Sequence, residues 1–167
     1  MPVKTDSMHA LTGALQPTKQ AWHQAAGRVL AESGLSLSLA APILVVSRLG
    51  DGALQHVIAE QIGVHPAALV RTLDQAAEAG LLERRAVPKN RRLRAIYLLP
   101  EGRRLAAKME QALTTLRATL LKDIPKTEID TAVRVLQAFE ERSRRYAEQE
   151  RSSTVKTPDS TIAAAKQ

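Results

Sequence analysis

The sequence predicts a mainly α-helical fold carrying one small β-hairpin, and three observations lead there. In the stretch from Pro66 to Gly80, apolar residues recur at Leu69, Leu73 and Ala76/Ala77, the spacing of a helix face packed on a core. Ala67, Ala68, Arg71 and Gln75, all small or hydrogen-bonding, fall on the opposite side. After Gly80 the pattern changes to short β-type runs flanking Pro88-Lys89-Asn90-Arg91-Arg92. A helix that fits a DNA groove, followed by a basic hairpin able to touch phosphate, defines a winged helix-turn-helix.

The remaining elements follow in order. A first long helix is expected from about His9 to Glu32, with Gly34 as its C-cap and Pro17 as a kink or restart. A second lies within Ser38 to Leu49, with Pro42 marking its start or a bend, and Gly50-Asp51-Gly52 makes a turn. Leu54 to Ile62 reads as a short helix with Val57, Ile58 and Ile62 inward. Gly63-Val64 turns the chain, and Pro66 sits in the first turn of the next helix. Leu82 to Val87 and Leu93 to Leu98 form the hairpin strands, joined by a loop longer than a minimal turn. Pro100 opens a helix to about Lys122 with Leu105, Met109, Leu113, Leu116 and Leu120 on one seam. Thr127 to about Glu148 places Ile129, Val133, Leu136 and Phe139 on one face, with acids in its first turn. From Arg151 no apolar periodicity survives, which predicts a mobile tail.

This divides the chain into an N-terminal helix of a dimerisation region (9–33), a DNA-binding winged helix-turn-helix (36–99), C-terminal dimerisation helices (100–150) and the tail (151–167). The long helices outside the helix-turn-helix either complete a monomeric core or form a bundle between two chains. The second reading fits the habit of reading helices to work in pairs, one helical turn of DNA apart.

Composition narrows the functions. Apolar residues make up 44% of the 167, enough for a core, but aromatics only 2%: Trp22, Tyr97, Phe139 and Tyr146. An aliphatic core suits interleaved helices, and so few rings argue against single-strand binding by base stacking. The net charge of +7 suits a polyanionic partner. Its clustering says more: Arg84, Arg85, Lys89, Arg91, Arg92 and Arg94 face a single acid, Glu83, between Leu81 and Ala95. With no cysteine, thiolate catalysis, disulfides and cysteine-ligated zinc are excluded. No apolar run approaches the ~20 residues that span a bilayer, and the N-terminus lacks the apolar core of a secretory signal, so a cytoplasmic protein is expected. His9, His23, His56 and His65 lie on different segments without ligand spacing, and no catalytic triad, carboxylate pair or phosphate loop is present. Neither enzyme activity, metal nor cofactor is expected.

Candidate roles follow from chemistry. Arg71 lies one turn into the reading helix, where a guanidinium can donate two hydrogen bonds to guanine O6 and N7. The competing assignments are phosphate contact, or pairing with Asp74 or Glu78 on its own helix. Gln75 suits adenine or phosphate, or is simply solvated. Ala67 and Ala68 offer methyl contact to thymine, or are small to let the backbone approach. Arg91 and Arg92 on the wing suit the minor groove, where narrow A·T tracts concentrate negative potential, with Asn90 and Arg94 beside them, or belong to a merely solvated, charged loop. Arg84 and Arg85 alternate on a strand, so at most one is expected to face DNA. Trp22 and His23 are candidates for an aromatic-ligand site, the alternative being an interface tryptophan and a solvated histidine. Lys156 and Lys166 of the tail add unspecific attraction, or are merely solvated.

Leu69–Gln75 (LVRTLDQ), Gly80-Leu81-Leu82-Glu83-Arg84-Arg85, Asn90-Arg91-Arg92 and Leu98-Leu99-Pro100-Glu101-Gly102-Arg103 together resemble the MarR family of bacterial regulators, close to its SlyA branch. Gly34-Leu35-Ser36, the stretch from Leu49 to Gly52 and Ala21-Trp22 fit the same pattern, which covers roughly Ala10 to Glu148. The resemblance implies a homodimer that binds an inverted-repeat operator in double-stranded DNA. It also implies regulation, usually repression, relieved in many members by small phenolic or aromatic carboxylate effectors. Three positions depart from the pattern: Asn90 replaces the acid that orients a wing arginine, Leu99 replaces a capping Thr, and Ala67-Ala68 replace small polar residues. An architectural or counter-silencing DNA-binding protein with weak sequence preference and no ligand is the alternative. A protein-interaction module is a third reading, which the intact basic wing disfavours.

Overall fold

The computed structural model describes residues 2–32, 34–88 and 90–154. Its elements run α1 (Pro2–Ala31), α2 (Leu37–Leu49), β1 (Ala53–Leu54), α3 (Gln55–Ile62), α4 (Pro66–Glu78), β2 (Leu82–Val87), β3 (Asn90–Leu98), α5 (Pro100–Leu120) and α6 (Lys126–Thr154). They divide into two compact units, residues 1–120 and 121–167. Among the described residues no helix is long and apolar enough to cross a membrane.

In the first unit the ends of α2 and α3 have local causes. The Ser36 hydroxyl caps α2 by accepting from the Leu39 amide at 3.4 Å, and Gly50, at φ 89°, ends it. At the close of α3, Gly63 takes the left-handed conformation, φ 77°, which glycine adopts without the Cβ penalty. The amides of Gly63 and Val64 then return to the Ala59 carbonyl at 2.9 and 3.0 Å, satisfying the helix end. Of the alternatives left open for the two prolines, the structure removes one. Pro17 lies inside α1 and Pro42 inside α2, the latter buried, so neither begins a helix. Each removes one backbone donor, and both helices continue through it.

Three local expectations need correction. The first helix begins at Pro2, well before His9. A helix from Leu54 is not what forms: Ala53 and Leu54 make a two-residue strand, and α3 begins at Gln55. So short a strand shows no alternation in sequence; it exists because Ala53 and Leu54 pair with Ile96 and Ala95 of β3. The sheet therefore has three antiparallel strands, ordered β1-β3-β2. The wing loop is also shorter than expected. Val87 pairs with Asn90, so only Pro88-Lys89 joins the strands, and Arg91 and Arg92 fall within β3. A register shift between Ala86 and Val87 absorbs the extra residues, which is why the tip reads in sequence as a longer loop. Lys89 lies outside the described residues.

The core is aliphatic, as the composition predicts. Leu30, Ile43, Val46, Ile58, Leu73, Leu82, Ile96 and Met109 are almost wholly buried, and they draw together α1 to α5 and the sheet. On α5 the expected seam holds at Leu105, Met109 and Leu113, then opens: Leu116 is half-buried and Leu120 exposed. Trp22 packs against the edge of this core.

The second unit is in essence α6, longer at both ends than the sequence predicts. Its apolar face forms at Ile129, Val133, Leu136 and Phe139, but nothing within its own unit covers it. Val133, Leu136 and Phe139 are 48%, 41% and 37% exposed. The expected tail begins as helix to Thr154, and its remainder, with Lys156 and Lys166, lies outside the described residues.

Candidate nucleic-acid interface and ligand cavity

Helix α4, the candidate reading helix, is positioned from its first residue. His65 stands at the N-cap, where its Nδ1 accepts from the Ala67 amide at 3.2 Å, and Pro66 fills the first turn. Leu69, Leu73 and Ala76 are buried, clamping one face of α4 to the core. Ala67, Ala68, Arg71 and Gln75 are all exposed on the remaining surface, the division that the periodicity predicts.

The charges on and beside this helix are sorted by pairing. Asp74 is taken by Arg84 of β2, an ion pair that ties the helix to the wing. Arg71 does not pair with Asp74, and among the described residues its side chain makes no hydrogen bond or ion pair. Its guanidinium remains available for a partner outside the protomer.

On the wing, Arg84 and Arg85 are both exposed, yet each is held by an acid: Arg84 by Asp74, and Arg85 by Glu83. The Arg85 guanidinium also lies 4.3 Å from the centroid of the Tyr97 ring. Arg94 is exposed opposite Ala86 and donates to its neighbour's carbonyl, Leu93 O, at 3.4 Å. By strand alternation it shares the face of Ile96 and Leu98, the face that carries Arg84 toward α4. Asn90 is exposed at the strand start, opposite Val87. Arg91 and Arg92 have their backbone in β3; their side chains lie outside the described residues.

Sequence reasoning missed what anchors the wing root. Asp51, in the turn after α2, accepts from the Leu98 amide at 3.2 Å and from Arg103 Nη1 at 2.8 Å. The Arg103 hydrogen bond, then that of the Leu98 amide, hold the Asp51 carboxyl below the usual carboxylate range. One side chain thus joins the α2 turn, β3 and α5. No sequence pattern could show this, because Arg103 lies 52 residues away.

Trp22 and His23 do meet a cavity. It has a volume of about 510 Å³ and lies between α1, α2, α3 and α5, within the range usual for small-molecule sites. His23 is exposed and Trp22 half-buried. The lining is mostly aliphatic, and its fixed charges are Arg48 of α2 and Arg117 of α5, which sequence reasoning did not single out. Arg117 lies 5.8 Å over the Trp22 ring. Arg48 and Arg117 both bond to Glu110, at 2.9 Å each. Burial disfavours the charged form of Glu110, but the hydrogen bonds from Arg48 and Arg117 outweigh it and lower its pKa.

No protein-family model matches the sequence. Solved structures do. A transcriptional regulator designated PA3341 is 29% identical over 81% of this chain and 98% of its own, with a TM-score of 0.75. A MarR-family transcriptional regulator from Rhodococcus sp. RHA1 is 24% identical over 79% of this chain and 93% of its own, with a TM-score of 0.69. CouR from Rhodococcus jostii RHA1, in a structure with p-coumaroyl-CoA bound, is 25% identical over 77% of this chain and 90% of its own, with a TM-score of 0.68. CouR, described as a transcriptional repressor, has also been solved on a 23-mer DNA duplex; in that form it covers 75% of this chain and 88% of its own at 21% identity, with a TM-score of 0.62. The chain has the winged-helix fold of MarR-family transcriptional regulators, as its sequence predicts.

Proposed function

We propose that this chain is a MarR-family transcriptional regulator of the SlyA-like branch. It binds an inverted-repeat operator as a homodimer, represses from it, and is released by a small aromatic or phenolic carboxylate. The observation that carries the DNA-binding part is the division of α4. Leu69, Leu73 and Ala76 fix one face to the core, while Ala67, Ala68, Arg71 and Gln75 stand exposed on the other, with the Arg71 side chain unpaired among the described residues.

In this reading Arg71 reads guanine, Gln75 supports it on adenine or phosphate, and Ala67 and Ala68 lie against thymine methyls. Asn90, Arg91, Arg92 and Arg94 of the wing hold the backbone and the adjacent minor groove. The uncovered face of α6 supports the homodimer, since an apolar stripe of that length is normally buried against another element. Two reading helices then meet half-sites one helical turn apart. Trp22 and His23 border the effector cavity, and release follows from differential affinity: an effector favouring a protomer arrangement that fits DNA poorly weakens operator binding, and operator weakens effector binding by the same factor.

Selection of bound duplexes from a random pool at near-physiological salt tests this. Enrichment of an inverted repeat with half-sites about ten base pairs apart supports a sequence-specific dimer. Enrichment of A·T-rich DNA without symmetry overturns it in favour of an architectural protein.

A further inference from the structure

Arg48, near the end of α2, and Arg117 on α5 both border the cavity, and both spend a hydrogen bond on one carboxylate, Glu110. Arg48 Nη2 donates to Glu110 Oε2 and Arg117 Nη1 to Glu110 Oε1, so a single acid bridges the two helices. Two guanidiniums against one carboxylate leave an excess positive charge beside a mostly aliphatic space. Arg117 is further held over the Trp22 ring, whereas Arg48 has the more exposed side chain, 54% against 36%. Arg48 is therefore the cation more easily won by a competing anion.

We infer that Glu110 is a built-in competitor for the effector: an amphipathic carboxylate lays its apolar body against Trp22 and Leu113 and takes Arg48 from Glu110, breaking the ion pair between α2 and α5. The inference rests on the reading of the cavity as an effector site. It adds the cation that receives the ligand's carboxylate and the bond that its binding breaks. Exposed ion pairs are weak, so the exchange requires little free energy and the bridge is easily opened. The consequence reaches the reading helix because the cavity is also lined by Gln61 and Ile62, the last residues of α3 before the turn into α4. Opening the bridge removes one polar tie between α2 and α5, whose aliphatic packing stays, and shifts the frame on which α3 and α4 are set.

Trp22 is the only tryptophan in the sequence, so tryptophan fluorescence has a single source and that source borders the cavity. The probes are 4-phenylbutyrate and its neutral isostere 4-phenylbutanamide, titrated into the full chain without DNA. The expected result is a saturable change with the acid and markedly weaker binding of the amide. Glu110→Gln should bind the acid roughly two- to fivefold more tightly, the scale of an exposed ion pair, with the amide unaffected. Arg48→Gln should abolish the preference for the acid. Should Glu110→Gln fail to fold by circular dichroism, Glu110→Asp, with its shorter reach, supplies the same comparison. Equal binding of acid and amide, no gain in affinity on changing Glu110, or no saturable change in the unaltered protein would each overturn the inference. Because these titrations contain no DNA, absence of operator binding would sink the regulator reading without touching this one.

Discussion

The carbonyl oxygen of Leu81 occupies the space that a side chain at residue 102 would need: a Cβ on Gly102 would lie 1.9 Å from it. The same oxygen accepts from the Leu99 amide at 3.0 Å, so the start of α5 is seated directly on the backbone leading into the wing. Gly102 has no unusual backbone angle; it is glycine for lack of room. Gly102→Ala should therefore destabilise the protein by about 2–3 kcal/mol through overpacking against backbone that cannot move aside. Urea unfolding measures it, and a change under 0.5 kcal/mol would refute the close approach.

Arg71 and Arg92 should fail differently when truncated. Arg71→Ala is expected to cost about 1–3 kcal/mol of operator affinity and to relax preference at one position of each half-site. Arg92→Ala should weaken binding to all sequences alike and flatten the dependence of log Kd on log salt by about one unit. Binding assays across mismatched operators and salt concentrations separate the two. Unchanged base preference in Arg71→Ala would remove it from base reading.

Asp51 gives the wing root a pH dependence of known sign. Its folded pKa is depressed, chiefly by the hydrogen bond from Arg103 and then by that of the Leu98 amide, so folding favours the ionised form. The stabilisation is fully present above the unfolded pKa, near 4, and is lost as the pH falls through the lower folded value. Asp51→Asn should therefore lower the urea midpoint at pH 6, with the gap to the unaltered protein closing toward pH 2.5. A gap independent of pH would mean that the carboxylate charge contributes nothing.

Phe139 tests the uncovered face of α6. Within a lone protomer it is 37% exposed, and Phe139→Asp should then be nearly silent for association. If α6 lies in a homodimer interface, the same change should weaken dimerisation by at least about 2 kcal/mol, some thirtyfold in Kd. Sedimentation equilibrium distinguishes the two outcomes.

The sequence by itself determined the helical elements, the aliphatic core and the two faces of α4, because each rests on short-range periodicity that one chain segment carries alone. Leu69, Leu73 and Ala76 could point inward only if Ala67, Arg71 and Gln75 pointed out. Tertiary structure decided what no segment carries alone. Ala53 and Leu54 became a strand only because β3 offers free edge positions, and the wing tip shortened because Val87 found Asn90 across the hairpin. Asp74 was claimed by Arg84 rather than Arg71, whose side chain has no ion pair among the described residues. The cavity beside Trp22, too, acquired its charges from Arg48 and Arg117, joined through Glu110, which is 62 residues from Arg48 along the chain. Such choices depend on which side chains packing brings within about 4 Å of one another, a distance that sequence separation does not encode.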